Sequence, residues 1–274
     1  MSRIDMSFAT LRARGETALL PYLSVGFPAP GETAALAIEL VRAGADGLEL
    51  GIPFSDPLAD GATLQRVNQQ SLDAGFRLDH AFATARAIRT ASEVPIVFMS
   101  YYNPVQRHGI DAFCEAAAAS GADGLIVPDL PVEEAEPLRE ACGQRAMKLI
   151  TMLAPTTPDA RMAVACATAS GFIYCVSVVG VTGARSSLAD ELPAFLGRVR
   201  EHTDVPLVVG FGISRPEHVA RVGKLADGVI VASALVDLLE SAAPERRAAT
   251  AADFVRQMKA ACRGGATAEA GERA

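Results

Sequence analysis

Eight short, almost uninterrupted apolar runs alternate with stretches of helical periodicity along nearly the whole chain, and this alternation constrains the fold more than any other feature. The strand candidates are residues 19–25, 47–51, 96–101, 124–128, 149–153, 172–178, 207–212 and 228–232. A run that is apolar at nearly every position suits a parallel strand covered on both faces, whereas a half-exposed strand would alternate with polar residues. Helical patterns fall between them at residues 32–43, 80–90, 110–119 and 192–201, and a further helix over residues 4–14 precedes the first strand.

Three junctions repeat one another: Gly44-Ala45-Asp46-Gly47, Gly121-Ala122-Asp123-Gly124 and Leu225-Ala226-Asp227-Gly228. Each reads as a helix ending at or near a glycine, then a tight turn into a strand. About eight such βα units in 274 residues, with no composition break to mark a linker, predict one α/β domain, a single (β/α)8 TIM barrel over residues 1–262. The extra N-terminal helix would cover the barrel floor. An open, doubly wound Rossmann-like sheet is the second choice, weakened because no G-x-G-x-x-G follows any strand. Residues 263–274 are polar, small and expected to be a disordered tail.

Composition narrows the function. The formal net charge is −7, which argues against nucleic-acid binding through a broad basic surface, while a small anion could still be held locally. Tryptophan is absent and aromatic residues make up 5% of the chain, so the core must be aliphatic. The N-terminus has no apolar signal core, and no apolar stretch approaches the ~20 residues that span a bilayer. The five cysteines are odd in number and never spaced C-x-x-C, which points to buried thiols in a reducing cytoplasm.

In a barrel the reactive groups belong at the C-terminal ends of the strands and in the loops that follow. That placement removes all three lysines from imine chemistry: Lys148 precedes its strand, Lys224 closes a helix and Lys259 lies inside the last helix. The four histidines, His80, His108, His202 and His218, have no metal-ligand spacing and read as surface residues. Carboxylates remain, concentrated in the segment from Leu48 to Gly61. Glu49 is the anomaly, a charge between two leucines in a strand the barrel should bury. An ion pair or an outward-pointing side chain would explain it, but its place near the strand's C-terminal end favours catalysis, with burial raising its pKa toward neutrality. Asp60 stands in a loop stiffened by Pro53 and Pro57, within reach of the same cavity, or else caps the helix that follows. Asp56 reads as a turn or partner-contact residue, and Asp129 as a turn or cap. A second constellation is glycine-rich: Val181-Thr182-Gly183, Gly210-Phe211-Gly212 and Ala232-Ser233-Ala234 follow the sixth, seventh and eighth runs, where barrels commonly hold phosphate.

With these residues in place, the sequence resembles the tryptophan synthase alpha chain family. The loop from Leu48 to Gly61 carries the resemblance, supported by Pro21 to Pro28, Met99 to Pro104, Asp129 to Glu134, Gly180 to Gly183 and Gly210 to Ile213. The resemblance implies retro-aldol cleavage of indole-3-glycerol phosphate to indole and glyceraldehyde 3-phosphate. It also implies an α2β2 complex with a beta chain that holds pyridoxal phosphate and receives the indole, while this chain has no cofactor or metal of its own. By position, Glu49 would be the general acid/base, Asp60 would hold the indole N–H and Tyr174 would line the site. Gly183, Gly212 and Ser233 would grip the phosphate, Thr182 would belong to a closing loop, and Asp56 would contact the partner. Ala62 and Ala232 depart from the family's usual proline and glycine. A stand-alone lyase of the same family and a non-catalytic regulatory subunit are the alternative readings.

Overall fold

The computed structural model describes residues 1–176, 188–210 and 212–263. Eight parallel strands close in sequential order into a barrel: β1 (Ala18–Ser24), β2 (Leu48–Gly51), β3 (Ile96–Met99), β4 (Gly124–Ile126), β5 (Lys148–Leu153), β6 (Ile173–Val176), β7 (Leu207–Gly210) and β8 (Gly228–Val231). Leu19 lies opposite Val229, so β8 returns to β1 and the open-sheet alternative is ruled out. After α1 (Arg3–Arg14), the connections carry α2 (Thr33–Arg42), α3 (Ala62–Asp73), α4 (Leu78–Arg89), α5 (Tyr102–His108), α6 (Ile110–Ala119), α7 (Glu136–Gly143), α8 (Asp159–Ala167), α9 (Leu188–Arg200), α10 (Pro216–Val222), α11 (Ser233–Ser241) and α12 (Arg247–Ala261). Among the described residues no helix is long and apolar enough to cross a membrane.

Several strands end earlier than their apolar runs. The third stops at Met99 because Ser100 and Tyr101 turn into α5, and the seventh ends before Gly212, whose φ is +73°. The end of the predicted sixth strand lies outside the described residues. Helix α4 starts two residues before its predicted position, because Arg77 donates its backbone N–H to the ring Nδ1 of His80 and so gains a cap.

Helix α1 is built for the floor. Ser2 and Asp5 form a reciprocal capping box at its start, and Gly15 closes it in a left-handed conformation with φ +63°. Its buried residues are Ile4, Phe8 and Leu11. The Phe8 ring lies 5.9 Å from that of Phe172, just before β6, so the helix seals the end of the barrel where strands begin. Each of these apolar side chains contributes about 2 kcal/mol by leaving water.

The repeated junctions share one structural task. Asp46 accepts the Leu19 N–H at 2.8 Å, Asp123 accepts the Ile96 N–H at 2.9 Å and Asp227 accepts the Leu207 N–H at 2.8 Å. An aspartate at the foot of β2, β4 or β8 thus satisfies the first free amide of the strand before it, where the ladder leaves a donor unpaired. Cations from the outer layer close each corner: Lys259 with Asp46, Arg89 and Arg3 with Asp123, and Arg200 and Arg12 with Asp227. Before β6 the corresponding residues are Ser170 and Gly171, so this corner has no carboxylate.

Candidate active site

Glu49 sits in β2 in register with Tyr22 of β1 and Val97 of β3. Strand alternation puts Glu49 and Gly51 on one face and Leu48 and Leu50 on the other. Glu49 lines a cavity of about 430 Å³ with Met99, Ile126, Leu153, Tyr174 and Val176. Its side chain faces into the barrel and is 3% exposed. Its Oε2 has no hydrogen-bond partner among the described residues. Burial, and then the charge of Asp60, raise its pKa to about 8.

Asp60 is also buried, but it is supplied with donors. Its backbone N–H bonds to the Pro57 carbonyl, and the Gln65 side-chain amide donates to its carbonyl. Its Oδ2 accepts from Asn68 Nδ2 at 2.9 Å, and the Tyr101 hydroxyl also bonds its carboxylate. Tyr101 is oriented in turn, since its oxygen accepts the Ala59 N–H at 3.0 Å and its ring stacks on Phe54 at 5.3 Å between centroids. Burial raises Asp60 to about 6, with the Tyr101 and Asn68 hydrogen bonds holding it lower than burial alone would. The N-cap of α3 is Gly61, so the capping alternative for Asp60 does not hold. Asp129 does act as a cap, accepting the Tyr102 N–H at the start of α5.

Tyr22 and Tyr174 lie in the same electrostatic neighbourhood. Burial and the two acidic side chains push both hydroxyls well above the usual tyrosine range. Both rings lean over glycines. A Cβ on Gly51 would overlap the Tyr22 ring and hydroxyl, and a Cβ on Gly210 would overlap those of Tyr174. Glycine at the ends of β2 and β7 is therefore what admits the two tyrosines.

The remaining predicted residues are more scattered. Gly212 follows β7 with φ +73°, a left-handed conformation suited to glycine, and Ser233 begins α11 after β8. They share the rim at the strands' C-terminal ends, but neither lines the main cavity. Thr182 and Gly183 lie outside the described residues. Asp56 is exposed in a loop with Leu58, which is 90% exposed. Lys148 starts β5 at the floor, near Asp5, and Lys259 is held by Asp46 and Glu16, so both are remote from Glu49. Among the described residues no group of three or more His, Cys, Asp or Glu could hold a metal ion. Sequence reasoning assigned no role to Tyr101, Asn68, Ser24 and Tyr22, although Tyr101 stands in the segment Met99 to Pro104, and Tyr22 and Ser24 in the segment Pro21 to Pro28, both of which support the family resemblance.

A closed (β/α)8 barrel with two buried acidic side chains at its strand ends is the frame of an acid–base enzyme. A family model described as tryptophan synthase alpha chain matches residues 8–263. The chain is 54% identical to the tryptophan synthase alpha chain of Roseiflexus castenholzii, covering 94% of this chain and all of that one. It is 50% identical to that of Chloroflexus aurantiacus, covering 95% and 98%. Among solved structures, the alpha subunit from Legionella pneumophila aligns with a TM-score of 0.88 at 35% identity over 96% of this chain and 98% of that one. The chain belongs to the tryptophan synthase alpha chain family and is a lyase that cleaves indole-3-glycerol phosphate.

Proposed function

We propose that Glu49 and Asp60 carry the cleavage, with Glu49 as general acid and base and Asp60 as the acceptor for the indole N–H. The observation that supports this most is their unequal surroundings: Asp60 is given two side-chain donors, whereas Glu49 Oε2 is given none. Near neutral pH the proton resides on Glu49 and the charge on Asp60. Glu49 donates its proton to C3 of the indole ring, and the positive character that develops at the ring nitrogen is stabilised by the Asp60 carboxylate. The bond between C3 and the side chain then breaks, its electrons restoring the aromatic ring. The carbinol carbon becomes the aldehyde as its hydroxyl proton passes to Glu49, which ends as it began. The ring thus supplies its own electron sink, and neither an imine nor a cofactor is needed in this chain.

The aliphatic lining of the cavity suits an indole ring. Gly212 and Ser233, with Gly183 and Thr182, would take the phosphate, and Tyr174 would bound the ring beside Glu49. We further propose that the barrel, residues 1–262, is the catalytic domain, followed by a tail over 263–274. The chain would work in the cytoplasm in an α2β2 complex with a pyridoxal-phosphate-bearing beta chain, with Asp56 at the contact and indole passed directly between subunits.

Indole release from indole-3-glycerol phosphate, followed with and without a beta chain, tests this reading. Release that the beta chain stimulates is expected, and it is lost in Glu49→Gln with beta-chain binding retained. A high rate that ignores the beta chain would mark a stand-alone lyase. Full activity in the Glu49→Gln variant would overturn the assignment.

A further inference from the structure

Beneath Asp60 lies a short polar chain in otherwise apolar surroundings. The Ser24 hydroxyl, at the end of β1, donates to Asn68 Oδ1 at 2.9 Å, and Asn68, in the second turn of α3, donates through Nδ2 to Asp60 Oδ2 at 2.9 Å. All three residues are buried, Ser24 completely. A polar side chain is buried in such a place at a cost unless each of its groups is paired, and here the pairing has a direction.

The direction follows from donor and acceptor inventory. An ionised carboxylate only accepts, so the atom Asn68 turns to Asp60 must be its NH2. The amide oxygen then points the other way, where it needs a donor, and Ser24 provides one. Tyr22, two residues earlier on the same face of β1, stands beside Ser24, whose single proton goes to Asn68 Oδ1. Reversing the amide would set its oxygen against a carboxylate, where neither atom has a proton to give.

We propose that Asn68, aimed by Ser24, is a positioning residue that decides which of the two buried acids carries the shared proton, keeping Asp60 ionised and thereby leaving the proton on Glu49. Two acids this close in a dry site do not both ionise readily, and the one given hydrogen-bond donors keeps its charge. The titratable groups facing Asp60 are Glu49 from β2, Tyr22 from β1, Tyr101 after β3 and Tyr174 from β6. All are acids, and among the described residues no cationic side chain is recorded acting on Asp60 or Glu49. Neutral donors therefore do the work that an arginine would do elsewhere, without the strong attraction that would make Asp60 too weak a base for the indole N–H.

This inference rests on the assignment of Asp60 as the indole acceptor, and the tests separate the two. In Asn68→Ala, kcat should fall ~10–100-fold with KM nearly unchanged, and the acid limb of the pH profile should move up by about one unit. Ser24→Ala, a milder change that leaves the amide free to reverse, should move both readouts in the same direction by less. Ser24→Thr, which keeps the hydroxyl, should rescue them. Carbon-13 NMR of labelled aspartate, with the Asp60 signal identified by its loss in Asp60→Asn, should show the same upward movement in the unliganded protein without reference to activity. An unchanged Asp60 titration in both Asn68→Ala and Ser24→Ala would overturn the proposal, even if Asp60 remains essential. A shifted titration with an unaltered rate would instead keep the positioning and overturn the role given to Asp60.

Discussion

The two ends of the barrel bury acids in opposite ways. At the floor, Asp46, Asp123 and Asp227 each meet a strand amide and at least one lysine or arginine. At the mouth, Glu49 and Asp60 meet tyrosines, an asparagine and each other. Charge matched by cations fastens the strands together and is chemically inert. Charge left unmatched makes proton affinity negotiable, and burial tilts it toward neutrality. The same residue type serves structure or chemistry according to what stands beside it.

The largest expected effect lies at the mouth. Glu49→Gln should lower kcat ~10³-fold in an indole-release assay. The same variant should gain stability over the wild type as pH rises. Because the folded pKa of Glu49 is raised to about 8, its favourable contribution is fully present below the ordinary glutamate value and is lost as pH climbs through 8. Thermal melts from pH 5 to 9 should show the gap opening up to about pH 8 and levelling above it, and a gap that does not change across this range would place Glu49 among ordinary ionised acids.

Next in size is the pH profile of the wild type. Asp60 must be charged and Glu49 protonated, so kcat/KM should rise through about 6 and fall through about 8. Asp60→Asn should abolish the acid limb of whatever activity survives. At the floor the expectation reverses: Asp123→Ala strips Arg89 and the Ile96 amide of their partner and should cost roughly 3 kcal/mol in urea titrations, with kcat nearly intact. A large loss of kcat with little loss of stability would erase the distinction between the two ends. The smallest effect is a gain. Ser170→Asp, placed where the fourth corner lacks its aspartate and one residue before Gly171, which lies against Lys148, should stabilise by about 0.5 kcal/mol.

Much of this was legible in the residues, and the parts that were not have a physical reason. The strands could be read because a parallel strand covered on both faces is apolar throughout, yet their ends could not, since Tyr101 and Val127 remain buried after leaving the ladder. Glu49 stood out as a charge where none belongs. Helix α3 carried a weaker signal, because two of its four buried residues are Asn68 and Ser71, which interrupt the apolar stripe. Of the two, Asn68 bonds Asp60, while Ser71 lies beside Gly26. Neutral polar residues such as Ser24 and Asn68 gain their meaning from partners 44 and 8 positions away. Local spacing does not encode such partners.

The tyrosine that leans over each strand-end glycine has a bearing on how the cavity could be reshaped. Gly51 cannot gain a side chain while Tyr22 is present, nor Gly210 while Tyr174 is. Enlarging either glycine by itself therefore drives a new side chain into its tyrosine, whatever new substrates the barrel can accept. Libraries that vary each glycine together with its tyrosine, allowing a small residue on one side and a larger one on the other, would reach active-site shapes that no single substitution leads to.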